Sequence, residues 1–158
     1  LSGAGWRLLY DEDVLAGNVN PMIPGEEEKL IAELKYLLGM EIPVIASCNR
    51  VSERDGHFVS CGVEVEKETT LEEVLQLMNI PTLNLPSSPE FVNNIIDETP
   101  NRDDHLWIGN GMTTTVGNIR VDGNIIRFDS LSHNTVRGAA GGVILLAEFA
   151  VKESYITK

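Results

Sequence analysis

A chain of 158 residues, 42% of them hydrophobic, is long enough for one ordinary domain with a buried core. Its 12 basic and 24 acidic residues give a formal net charge of -12. The field of that charge repels nucleic acid and anionic membranes and excludes both as partners, though not a small anion in a local Arg or Lys pocket.

No apolar run approaches the roughly 18–20 residues of a membrane helix. The opening Leu1-Ser-Gly-Ala-Gly-Trp6 has neither Met nor a basic-then-apolar signal. The expectation is a cytoplasmic chain that starts inside a longer polypeptide. Residues 1–5 read as a tight small-residue loop, with a short helical turn around Asp11 to Leu15. Pro21-Met-Ile-Pro24-Gly25 then breaks structure ahead of a helix over Glu26–Leu38. Leu30, Ile31, Leu34, Leu37 and Leu38 fall on one helical stripe. Three glutamates suit the positive end of the dipole, and Gly39 ends the helix. Glu26 and Lys29 share a face in the first turn. They read either as a solvated terminus or as an anion-and-cation recognition pair.

Val44 to Asn49 and Phe58 to Glu66 read as strands, joined through Asp55-Gly56 turn chemistry. Arg50 then stands where one strand ends and His57 where the next begins. A guanidinium fork matches a carboxylate, and an imidazole changes charge near neutral pH. Together they suit a small anionic substrate with a proton to move; alone they also fit two surface residues beside a loop. Cys48 and Cys61 lie in apolar runs, are too few for a disulfide framework, and read as buried small hydrophobes.

Thr70-Leu-Glu-Glu73 is a capping box that opens a helix to about Met78, with Leu71, Val74, Leu75 and Met78 inward. Residues 80–89 read as an extended loop, 91–97 as a strand and 99–111 as a loop. His105 stands beside two acids, but no second His or Cys lies at ligand spacing, so no metal is expected. Asp122-Gly123 predicts a hairpin between Met112–Val121 and Asn124–Leu131. Asn134 or Thr135 is the expected N-cap of a last helix. The run Gly138-Ala-Ala-Gly-Gly142 before it suits close approach of a cofactor phosphate or ring, and equally suits tight helix packing. These elements make an α+β domain with a mixed sheet packed by helices.

Taken in order, Gly25-Glu-Glu-Glu-Lys29, Arg50 to Gly56-His57, and His133-Asn-Thr-Val-Arg-Gly-Ala-Ala-Gly-Gly142 resemble aspartate-semialdehyde dehydrogenases, in particular their archaeal and fungal-type branch. The opening five residues are similar to the segment after that family's active-site glutamine, so the resemblance implies the C-terminal half. Residues 1–133 would be the substrate-binding and dimerisation domain. Residues 134–158 would be a C-terminal helix that packs on an NADP-binding domain outside this chain.

The implied reaction serves lysine, threonine and methionine biosynthesis. A cysteine thiolate attacks aspartyl β-phosphate, phosphate leaves, and NADPH reduces the thioester to the semialdehyde. The resemblance gives His57 the general acid/base role. It gives Arg50 the substrate α-carboxylate, Glu26 the substrate ammonium and Lys29 the phosphate. Asn134 and Gly138 would line the nicotinamide end of the NADP site. A homodimer or homotetramer is implied, and this chain alone would be inactive. The family's nucleophile, in an Asn-Cys context, is not here; Cys48-Asn49 has the reverse order and does not take the role. Trp6 to Tyr10 and Asn20 also depart from the pattern. Two sibling readings, a malonyl-CoA or other acyl-CoA reductase and an N-acetyl-glutamyl-phosphate reductase, are disfavoured by the intact Glu26-Glu-Glu-Lys29, because neither substrate needs an ammonium-binding acid. A non-catalytic dimerisation module is the alternative from another class.

Overall fold

Three glutamates, an apolar stripe and a glycine set both ends of α1, Glu26–Leu38, as the sequence leads one to expect. Gly39 adopts φ 64° and its N–H donates to the Lys35 carbonyl at 3.0 Å, closing the last turn. The computed structural model describes residues 19, 23–51, 53 and 55–156. The loop expected at 1–5, the helical turn at 11–15 and the break at Pro21 lie outside the described residues. The chain forms two units, residues 1–54 and 55–158.

In the first unit the strand expected at 44–49 does not form. From Ile42 to Arg50 half-buried and exposed residues alternate, as in an extended chain. Among the described residues, however, only an isolated bridge at Arg50 is made there. The reason lies in where its polar groups go. The Cys48 carbonyl accepts from Ile23 N–H at 3.2 Å, and the Cys48 N–H donates to Glu27 Oε1 at 2.9 Å. Both backbone groups of Cys48 are therefore used by the start of α1. Pro43 has no N–H to offer a ladder.

The second unit holds a four-stranded mixed sheet in the order β1-β4-β3-β2, with β1 His57–Glu64, β2 Asn93–Ile95, β3 Thr114–Asp122 and β4 Ile125–Ser132. β4 is antiparallel to both β1 and β3, while β2 runs parallel to β3. Asp122 pairs with Ile125, so the two-residue hairpin loop is Gly123-Asn124, one position later than Asp122-Gly123. Gly123 has φ 60° and Asn124 is not among the positive-φ residues, the pattern of a type II′ turn. β3 carries a bulge between Gly117 and Arg120, with Asn118 at φ 53°. A Cβ on Gly117 would collide with the Glu98 carbonyl oxygen.

α2, Leu71–Met78, opens with the full capping box: Glu73 N–H donates to Thr70 Oγ1, and Thr70 N–H donates to Glu73 Oε2. Of its expected inward stripe only Val74 is buried; Met78 is half-buried, and Leu71 and Leu75 are exposed. β2, against which α2 rests, is three residues long and supports one narrow line of contact. The loop expected over 99–111 contains a helical turn, α3, Arg102–His105. Asn101 Oδ1 accepts from Asp104 N–H at 2.9 Å and caps it. A tight turn follows at Ile108–Gly111, with Gly109 and Asn110 both left-handed. Val74, Leu106, Met112, Val116 and Leu131 form the core.

The last helix, α4, Gly141–Lys152, is preceded by a wide π turn at Val136–Ala140. Gly138 N–H donates to the His133 carbonyl at 3.1 Å and Ala140 N–H to the Thr135 carbonyl at 3.0 Å, each five residues back. Neither Asn134 nor Thr135 caps a helix with its side chain, contrary to expectation; both are taken by other partners. The 133/134 boundary falls inside the second unit. There Glu148 accepts from Ser87 N–H at 2.9 Å and Ser87 Oγ at 2.8 Å, joining α4 to the loop after Pro86.

Candidate functional site

The candidate residues fall into two groups, one in each unit. Glu26 and Lys29 stand in the first turn of α1. The bonds at Cys48 tie that turn to the stretch ending at Arg50, two residues on. Glu27 is the glutamate that performs the tie, which leaves the Glu26 carboxylate without a hydrogen-bond partner among the described residues. Arg50 is half-buried, and its Nε is buried with no partner among the described residues. An unmet guanidinium donor is an unsatisfied demand for an oxygen acceptor. A carboxylate is one group with the oxygens to meet it.

Cys48 and Cys61 are half-buried rather than buried. Burial pushes the Cys48 thiol up, and the charges of Glu27, Glu26 and Glu28 push it further. Burial and Asp129 do the same for Cys61. Both stay thiols at neutral pH, which is the wrong form for a nucleophile.

In the second unit His57 is the first residue of β1, exposed, and paired with Ser132 at the end of β4. The peptide before it is held on two sides. Gly56 N–H donates to Asn134 Oδ1 at 2.9 Å, and the Asp55 carbonyl accepts from Arg102 Nε at 3.2 Å. Gly56 has φ 114°, a conformation that favours glycine. The structure thus brings His57 and Asn134 together. Nothing in the sequence signals that Arg102 would reach a carbonyl 47 positions away.

The glycines of the 138–142 run divide between the two expected roles. A Cβ on Gly141 would strike Met112 Sδ, and one on Gly142 would stand 2.5 Å from the Arg137 carbonyl oxygen. Those two serve packing. A Cβ on Gly138 would meet nothing nearer than the His133 carbonyl oxygen at 3.9 Å, and Gly138 is exposed. The chain's own packing does not require glycine there, so the bare backbone is available to a ligand. The residue before Asn134 holds the turn: buried His133 accepts from Val136 N–H at its Nδ1, which leaves the ring proton on Nε2. Trp107 stacks edge-on against the His133 ring, 4.4 Å between centroids.

Among the described residues no three His, Cys, Asp or Glu side chains gather as a metal site. His105 accepts from Asn101 N–H at Nδ1 and closes its own helical turn.

An aspartate-semialdehyde dehydrogenase of Archaeoglobus fulgidus is 42% identical over 99% of this chain and 49% of its own length. Over nearly its whole length the chain is thus similar to one half of an aspartate-semialdehyde dehydrogenase. A malonyl CoA reductase (NADP) of Metallosphaera sedula is similar as well, 33% identical over all of this chain and 50% of that protein. Among solved structures, the family's enzyme from Candida albicans, crystallised with NADP, superposes with a TM-score of 0.74 at 31% identity. That match covers 90% of this chain and 46% of the other. The chain therefore spans about half the length of the curated relatives it matches. No family model matches the chain.

Proposed function

We propose that this chain is the substrate-binding and dimer-forming half of an NADP-dependent aspartate-semialdehyde dehydrogenase that reduces aspartyl β-phosphate through a cysteine thioester. The pair of bonds at Cys48 carries this reading, because it ties the start of α1, which bears Glu26 and Lys29, to the stretch that ends at Arg50. In this reading Arg50 grips the α-carboxylate with its fork, Glu26 takes the substrate ammonium, and Lys29 meets the phosphate. His57 accepts the proton of the attacking thiol and returns one to the tetrahedral intermediate. The nucleophilic cysteine and the dinucleotide loop lie outside the chain.

NADPH, when bound, supplies the hydride. Exposed Gly138, which the fold leaves uncovered, and the free amide nitrogen of Asn134 are the groups that would hold it. Residues 134–158 would pack on the nucleotide-binding domain. Val143, Ile144, Leu146 and Val151 of α4 are 53–65% exposed, whereas a helix so apolar is normally covered. The assembled enzyme would be a cytoplasmic homodimer or homotetramer. No helix among the described residues is long and apolar enough to cross a membrane.

The test is NADPH-dependent reduction of aspartyl phosphate by the whole polypeptide that carries this chain. His57→Ala should lower kcat by about 10²–10⁴. Arg50→Ala should raise the substrate KM about 100-fold, as loss of a charge-assisted pair. No turnover by the unaltered protein, or unaltered rates in both variants, defeats the proposal. The Metallosphaera relative supports a second reading, reduction of malonyl-CoA. That substrate has no ammonium, so Glu26→Gln should impair only the aspartyl phosphate reaction.

A further inference from the structure

We infer that Arg102 and Asn134 are positioning residues for His57, acting as a clamp on the two sides of the Asp55–Gly56 peptide. A peptide unit is planar, so fixing its carbonyl and its N–H fixes the orientation of the whole plane. Arg102 Nε holds the carbonyl at 3.2 Å and Asn134 Oδ1 holds the N–H at 2.9 Å. The next residue is His57, whose backbone is set from the other side by pairing with Ser132. Gly56 is the weak point of this path. At φ 114° it occupies a region open to glycine, and glycine alone would leave the chain ahead of His57 free to swing. The two side chains remove that freedom, from α3 on one side and from the stretch after β4 on the other. Asn134 spends only its carbonyl oxygen on the clamp. Its amide group remains for a ligand, which links the cofactor end of the site to the direction of His57.

This inference rests on the acid/base role proposed for His57, and Arg102 separates the two ideas because the proposed function gives it no binding role. In the whole polypeptide, Arg102→Ala should lower kcat about tenfold, with KM for both substrates within about twofold. Asn134→Ala should lower kcat by a similar factor and raise the KM for NADPH. Asn134→Asp keeps an acceptor for Gly56 N–H and should restore kcat to within about threefold, leaving the KM for NADPH high. A purely structural role would lower the melting temperature and leave kcat of the folded enzyme unchanged.

Hydrogen exchange at the Gly56 amide gives a readout independent of turnover. It should quicken about tenfold in Asn134→Ala and stay slow in Asn134→Asp. Unchanged kcat in Arg102→Ala and Asn134→Ala overturns the clamp, as does equal Gly56 exchange in all three proteins. If the unaltered protein turns over no substrate, the proposed function fails, and Gly56 exchange alone decides whether the clamp exists.

Discussion

The two units hold their candidate residues by different means. In the first, α1 buries none of its residues, and the stretch leading to Arg50 makes no ladder among the described residues. Its geometry depends on the two bonds at Cys48. In the second, His57 starts a strand paired along its whole length with β4 and is clamped at the preceding peptide. The difference matches the work proposed for each group. Long Glu, Lys and Arg side chains reach a charged ligand across a range of backbone positions, because charge attraction falls off slowly with distance. Proton transfer needs contact within hydrogen-bond reach and tolerates little displacement. The more exacting of the two proposed jobs, that of His57, sits on the rigid frame.

Three substitutions test that contrast. The largest effect is expected at Gly117, where an added methyl would meet the Glu98 carbonyl. Gly117→Ala should destabilise the second unit by about 3 kcal/mol, read as a shift in the urea midpoint. A near-neutral result would show the sheet to be softer than its bonding implies. Next comes Glu27→Ala, which frees the Cys48 N–H. Exchange at that amide should quicken about tenfold while amides in β3 and β4 keep their protection. Quickening everywhere would mean that the two regions do not differ as described.

The smallest effect concerns Asp129, half-way along β4. Bonds from Asn118 and Ser60, at 2.7 and 2.6 Å, hold its carboxyl below the usual range, against a smaller opposing effect of burial. A depressed folded value means that its stabilisation is present above the unfolded value of about 3.9 and fades as pH falls through the folded one. Asp129→Asn should flatten that part of the acid unfolding curve. An acid limb identical to that of the unaltered protein would remove Asp129 from the account.

Local chemistry was legible; long-range partnerships were not. α1 could be read to the residue because three glutamates and Gly39 mark its ends, and α2 because its capping box is complete within four residues. The hairpin was located, but its loop is shifted by one position because Asp122 goes on to pair with Ile125. α3 went unread, although Asn101 with Asp103 and Asp104 after it is an N-cap pattern that a polar loop conceals. The strand before Arg50 failed because Cys48 spends its backbone groups on Ile23 and Glu27, which lie 25 and 21 positions away in sequence. Within the candidate site the residue types were readable from motif and resemblance. The partner of Asn134, 78 positions off, was not, since no local pattern encodes it.

The π turn at Val136–Ala140 has a consequence for the rotational phase of α4. One residue occupies about 100° of an α-helix, so the wider turn decides which side of the helix faces the loop at Leu85 and Pro86. With the turn as it is, Ile144, Ala147 and Val151 line an apolar groove beside those residues, and Glu148 meets Ser87. Shortening the turn by one residue would swing Glu148 about a quarter of the way round the axis and away from Ser87. The small residues of the run therefore set a dial as well as a gap: they fix which stripe of α4 borders the loop at Leu85 and Pro86 and which faces away from it.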